Sequence, residues 1–272
     1  MTVDVWRQHP TARFMSHDML ESLRRWTGME KPAEEIPIRA SVASLDAGGV
    51  DLGLLSAWHS PAGSLISNEE VAGWVAEHPD RFAGLATVNL AKPMEAVREL
   101  RHCVDDLGFK GLRVVPWLWE APPTDRRYYP LYATCVELGI PFCTQVGHTG
   151  PLMPSETGRP IPYIDQVALD FPELVIVGGH LGYPWTEEMI AVCRKHENVY
   201  IDTSAYVPKR FPDELVKYMR TKSGRQKVMF GTNFPMISHQ AAMEGLDRFG
   251  FDDETLDLYL DGNARRVFNL PG

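Results

Sequence analysis

Short runs rich in Val, Ile, Leu and Phe recur along the chain at 3–6, 52–57, 84–88, 111–115, 141–146, 174–177, 199–202 and 228–231. Runs this short, set between polar or glycine-containing turns, predict eight strands. The stretches between them change period. In 94–107 the apolar positions are Ala96, Val97, Leu100, Val104 and Leu107, the spacing of a helix with one face turned to a core. Strand and helix therefore alternate. A parallel neighbour cannot be reached through a tight turn, so strands alternating with helices pair in parallel through crossovers. Eight such units predict an α/β fold closed as a single (β/α)8 TIM barrel. The rival is an open doubly wound sheet with a nucleotide site, but no Gly-x-Gly-x-x-Gly and no Gly-x-x-x-x-Gly-Lys-Ser/Thr follows any strand.

Three departures from the repeat fall where a barrel places its active-site loops. Residues 9–45 form a long loop and helix insertion after the first strand, helical at 17–25 and Pro-punctuated at 31–37; the others are 116–129, after the fourth strand, and 149–163, after the fifth. No repeat beyond the βα period and no linker interrupts the chain, so residues 1–272 are expected to form one domain.

Composition narrows the partners. With 44% apolar residues in 272, the chain can bury a large core without staples. A formal charge of −9 argues against a surface that binds nucleic acid or anionic membrane, which needs clustered Lys and Arg, and leaves a small molecule as the expected ligand. Cys103, Cys135, Cys143 and Cys193 lie in apolar segments without a Cys-x-x-Cys pair and are expected to be reduced core residues. No apolar run approaches the roughly 18 residues of a membrane span, and the N-terminus lacks a secretory pattern, so a cytoplasmic location is expected.

Several longer motifs go beyond pattern: Pro-Asp-Arg-Phe-Ala-Gly (79–84), Gly-Phe-Lys-Gly-Leu-Arg (108–113), Ile-Pro-Phe-Cys-Thr-Gln-Val-Gly-His-Thr-Gly (140–150), Phe-Pro-Glu-Leu-Val-Ile-Val-Gly-Gly-His-Leu-Gly (171–182), Asn-Val-Tyr-Ile-Asp-Thr-Ser (198–204), Val-Met-Phe-Gly-Thr-Asn-Phe-Pro (228–235) and Gly-Asn-Ala-Arg-Arg-Val-Phe (262–268). With these, the chain resembles, over nearly its whole length, the amidohydrolase-related family that contains aminocarboxymuconate-semialdehyde decarboxylase and resorcylate decarboxylases. The resemblance implies a barrel of the amidohydrolase superfamily. It also implies a metal held by a His-x-His ending the first strand, a His after the fifth and an Asp after the eighth, with an acid/base His after the sixth. Here the pattern is degenerate: the His-x-His positions are Trp6 and Gln8, the Asp position is Asn233, and only His148 remains among the ligands, while His180 keeps the acid/base place. Trp cannot ligate, and amide oxygens are weak donors to a transition metal, so no tightly held metal is expected. The alternative is zinc or manganese held by rearranged ligands, His148, His180 and His9.

The candidate catalytic residues are therefore His180, His148, Asn233 and Asp202. The glycines around His180 bring backbone close to an imidazole at a strand end, Asn233 can donate to a developing oxyanion, and Asp202 ends the seventh strand as a proton acceptor or a capping carboxylate. Candidate substrate-binding residues are Trp6, Arg7, Gln8, His9, His59, Arg113, Trp117 and Tyr183. Arg7, Arg113 and Arg159 are each able to fix a carboxylate, and Trp6, Trp58, Trp117, Trp119 and Trp185, at or beyond strand ends, to wall a planar ligand. His17, His78, His102, His196 and His239 read as surface residues, and Asn263, Arg265 and Arg266 as structural ones. Three functions stay open: a hydrolase or nonoxidative decarboxylase of a small carboxylated, unsaturated or aromatic compound working without metal, a metal-dependent enzyme with non-standard ligands, and a non-catalytic binding barrel. A homo-oligomer, such as a dimer, is expected by resemblance.

Overall fold

The computed structural model describes residues 1–271. Its framework is eight parallel strands: β1 Val3–Arg7, β2 Leu52–Ser56, β3 Phe82–Leu85, β4 Leu112–Arg113, β5 Phe142–Gln145, β6 Ile176–Gly179, β7 Val199–Asp202 and β8 Val228–Met229. β1–β2–β3 form one ladder and β4 to β8 the other. Backbone hydrogen bonds close both seams. Ala86, just past β3, bridges Leu112, and its N–H donates to Gly111 O at 2.8 Å. On the other side Val5 N–H donates to Phe230 O at 3.1 Å, and Arg7 pairs in parallel with Phe234. The barrel that the alternation predicts is thus formed, with regular pairing shorter than the apolar runs: β8 ends at Met229 although Phe230 is also buried.

The outer helices follow their patterns. Helix Pro93–Asp105 opens with proline, whose fixed φ and missing N–H suit a first turn, and buries Ala96, Leu100 and Cys103. The 9–45 segment carries helices Ala12–Ser16, Glu21–Thr27 and Ile38–Gly48. The last packs outside the barrel against helix His239–Met243, and so closely that a β-carbon on Gly48 would collide with His239. One element escaped the strand pattern: an antiparallel hairpin of Trp58–Ser60 and Gly63–Ile66 after β2. Its signal was the Pro61-Ala62-Gly63 turn, where Gly63 takes φ +127 and Ser60 Oγ accepts from Ala62 N–H. All four cysteines are free and buried, and no helix among the described residues is long and apolar enough to cross a membrane.

Candidate active site

A cavity of about 930 Å³ opens at the carboxyl end of the barrel. Loops leaving the strands bring Gln8, Gln145, His148, His180, Tyr206 and Asn233 to its wall, and the 9–45 segment roofs it with Phe14, Leu23, Arg24 and Trp26. Among the described residues lining it there is no Asp or Glu, while Arg24 and Arg210 both face it. In a chain that carries nine more acidic than basic groups, this lining is selectively cationic.

The backbone around this mouth is strained. His180, Leu181, Ala205 and Asn233 all take left-handed φ, from +60 to +71, within four residues of the ends of β6, β7 and β8. Such conformations cost non-glycine residues of the order of 1–3 kcal/mol each and persist where the surroundings over-determine them. His180 Nδ1 lies 2.6 Å from Ser204 Oγ, which leaves Nε2 for the cavity. Behind Ser204, Asp202 Oδ1 accepts from the Ser204 N–H at 2.9 Å. Burial, with the Arg113 guanidinium and His148 nearby, pushes the His180 pKa down to about 3, so the ring is neutral near pH 7. Burial likewise lowers His148, whose Nδ1 faces Tyr206 Oη at 3.4 Å and whose ring meets Tyr183 edge-on. Burial raises Asp202 to about 6, opposed by bonds from Ser204 and the Arg113 charge.

Amides brace these groups. Gln145 accepts from Trp117 Nε1 at 2.6 Å and donates to His148 O at 2.9 Å, fixing the loop after β5. Gln8 Nε2 donates to Phe234 O at 2.6 Å and Asn233 Oδ1 at 3.2 Å. Asn233 Nδ2 meets only Met236 Sδ, a weak acceptor, and remains available to a ligand.

Of the residues singled out in the sequence, His148, His180, Asn233, Gln8, Trp58, Trp117 and Tyr183 line the cavity. The others do not. Asp202 is fully buried behind His180. Trp6 fills the barrel interior beneath it. Arg113 lies over the Trp6 ring and donates to Val5 O, and Arg7 is buried against Ser41 O and the rings of Phe82 and Phe234. His9 turns outward, with Nδ1 on Ser41 Oγ and Nε2 on Ile36 O. His59 stacks on Trp119 away from the cavity, and Arg159 pairs with Glu188. The physical reason for Arg7 and His9 is the two-residue period of an extended segment: with Trp6 and Gln8 inward, 7 and 9 point to the helices. Two surface assignments also fail. His239 is fully buried on Asp4 and Ser44, and His196 is buried on Asp165. Arg24, Arg210 and Tyr206 were missed; one lies on the insertion and two in the loop after β7, where no local period marks a cavity-facing side chain.

The motif pattern implies a metal, and these residues do not supply its donors. Trp6 offers none, the Asn233 oxygen is taken by Gln8, and both ring nitrogens of His9 are engaged. No group of three or more His, Cys, Asp or Glu among the described residues is placed to hold an ion. The donor set does not fit a tightly held divalent metal.

A closed parallel barrel with imidazoles converging at its carboxyl mouth defines the class of barrel enzymes whose chemistry sits on strand ends. The chain belongs to the amidohydrolase family, whose model matches residues 6–270. It is 27% identical over 256 residues to gamma-resorcylate decarboxylase of Rhodococcus jostii, covering 75% of each chain. Among solved structures, an uncharacterised TIM-barrel protein from Bordetella bronchiseptica matches with a TM-score of 0.84 and 25% identity over 98% of both chains. A dihydroxybenzoic acid decarboxylase from Polaromonas, containing manganese and the inhibitor 2-nitroresorcinol, matches with a TM-score of 0.74 and 20% identity, covering 99% of this chain and 97% of that one.

Proposed function

We propose that this protein is a nonoxidative decarboxylase of a small aromatic or unsaturated carboxylate that works without a tightly bound metal. The observation that carries the reading is the cavity wall itself: two imidazoles and two guanidinium groups, with no carboxylate among the described lining residues. Arg24 and Arg210 attract the anion, and Trp58 and Trp117 flank a planar ring. His180 is neutral in the empty site, but an anionic substrate beside it favours its protonated form. The proton on Nε2 then passes to the carbon bearing the carboxylate. The bond from that carbon to the carboxylate breaks, its electron pair returns to the unsaturated system, CO2 leaves, and neutral imidazole remains. Asp202 draws the Ser204 hydroxyl, so Ser204 Oγ accepts from Nδ1–H and orients the ring. His148 and Asn233 Nδ2 hold substrate oxygen atoms.

The neutrality of His180 also favours a second reading, hydrolysis, in which Nε2 removes a proton from water attacking an ester or lactone. The pH dependence separates the two. Decarboxylation needs a proton that the free enzyme holds only below about pH 3, so kcat/KM falls roughly tenfold per pH unit above it. Hydrolysis needs the neutral ring, so kcat/KM is flat through the neutral range. The experiment is a panel of hydroxybenzoates and of aromatic lactones, incubated with chelator-treated protein and followed by chromatography at several pH values. Loss of carboxylate with release of CO2 supports the first reading, and inertness towards both panels rejects both. Four buried thiols without a disulfide suit the cytoplasm, where we place this activity, in a homo-oligomer.

A further inference from the structure

We infer that Trp6, and not merely the loss of ligand side chains, closes this barrel to a divalent ion. The inference rests on the metal-free part of the reading above and names the residue that enforces it.

Trp6 is 1% exposed, on the inward face of β1. Its indole meets the His180 ring edge-on, with centroids 5.0 Å apart. The neighbouring strands make room for it. A β-carbon on Gly179, at the end of β6, would lie 2.5 Å from the indole Cζ3, and one on Gly231, just past β8, 3.3 Å from the Trp6 Cβ. The indole therefore occupies the inward position at the end of β1, in space that glycines at Gly179 and Gly231 leave open for it. Charge acts in the same direction. The Arg113 guanidinium carbon is 3.8 Å from the centroid of the indole, and Arg113 is held there by its bond to Val5 O at 2.8 Å. A fixed buried cation at that point opposes a second, divalent one, with the Asp202 and Asp4 carboxylates offsetting part of its charge. Bulk and charge together do what the absence of donors alone would not: they keep an ion out even when donors are supplied.

This distinguishes exclusion from simple ligand loss. If loss of donors were the whole cause, Gln8→His with Asn233→Asp would restore, together with His148 and His180, four donors at the mouth and would take up metal. If Trp6 excludes the ion, that double variant stays empty until Trp6→His is added. The experiment equilibrates wild type, the double variant and the triple variant with excess zinc or manganese chloride, removes free ion by gel filtration, and measures bound metal by plasma mass spectrometry. Circular dichroism and thermal melting report folding. The expected result is less than roughly one-tenth of an equivalent in wild type and double variant and about one equivalent in the triple. About one equivalent in the double variant overturns the inference, as does a folded triple that binds none. Should the triple not fold, the double variant alone decides, metal overturning the inference and its absence supporting it. Because metal content is read without any substrate, an inactive protein would sink the decarboxylase reading and leave this one standing, whereas metal in wild type would sink both.

Discussion

Two arginines are fully buried in this barrel, and their surroundings differ in kind. Burial lowers both Arg7 and Arg113 to about 10. Around Arg7 only its own Nε lacks a partner, and the polar atoms facing it are used. Asp4 accepts from the Thr232 hydroxyl at 2.6 Å and sits 2.9 Å from His239 Nε2, while His239 Nδ1 meets Ser44 Oγ at 2.8 Å and Arg7 donates to Ser41 O. That cluster pins β1 to helix Ile38–Gly48, helix His239–Met243 and the loop after β8. Around Arg113 the capacity is left open: its Nε and Nη1, Trp6 Nε1 and Asp202 Oδ2 have no protein partner. A satisfied buried network stabilises, whereas an unsatisfied one in a native protein marks stored strain, bound solvent or chemistry. The first region holds the barrel shut, and the second lies just behind His180.

Substitutions break this contrast in opposite directions. The largest effect is expected at the imidazoles. His180→Ala should lower kcat by roughly 10²–10⁴-fold with little change in melting temperature. His239→Ala should do the reverse, costing about 1–3 kcal/mol in denaturant unfolding by removing one buried partner of Asp4 and of Ser44, with kcat per folded molecule retained. A His239→Ala protein of unchanged stability would end the comparison. Asp202→Asn sharpens it. Because burial raises Asp202 from the ordinary carboxylate value of 3.8 to about 6, its stabilising effect is complete below pH 4 and is lost as pH rises through 6. The Asn variant should therefore be more stable than wild type at pH 8 by roughly 3 kcal/mol and equal to it in acid, yet slower in turnover. Melting curves at the two pH values, beside kcat, test this. The smallest effect is at the rim, where Arg210→Gln should raise KM for an anionic substrate about tenfold and leave kcat unchanged.

The barrel was legible because its information is local. Apolar runs and helical spacing such as Ala96, Val97 and Leu100 depend only on neighbours in sequence, and the strand-end glycines flagged His148 and His180. The errors were of two other kinds. His9 and Arg7 were drawn towards the site by chemistry while the parity of β1 sent them outward, a signal present in the sequence but outweighed. His239, Arg24 and Arg210 carried no signal at all. His239 is fixed by Asp4, 235 positions away, and the two arginines reach the cavity from loops whose course only the folded chain defines.

The tryptophans of the cavity have an optical consequence. Of the seven indoles in the chain, Trp26, Trp58 and Trp117 border the cavity, and they differ in contact with water: Trp26 is 59% exposed, the other two 8% and 4%. A ligand entering the mouth dehydrates the first and barely changes the polarity around the others. Occupancy should therefore appear as a blue shift confined to one emitter, and Trp26→Phe would silence the signal, so the native protein carries its own label for binding and needs no dye.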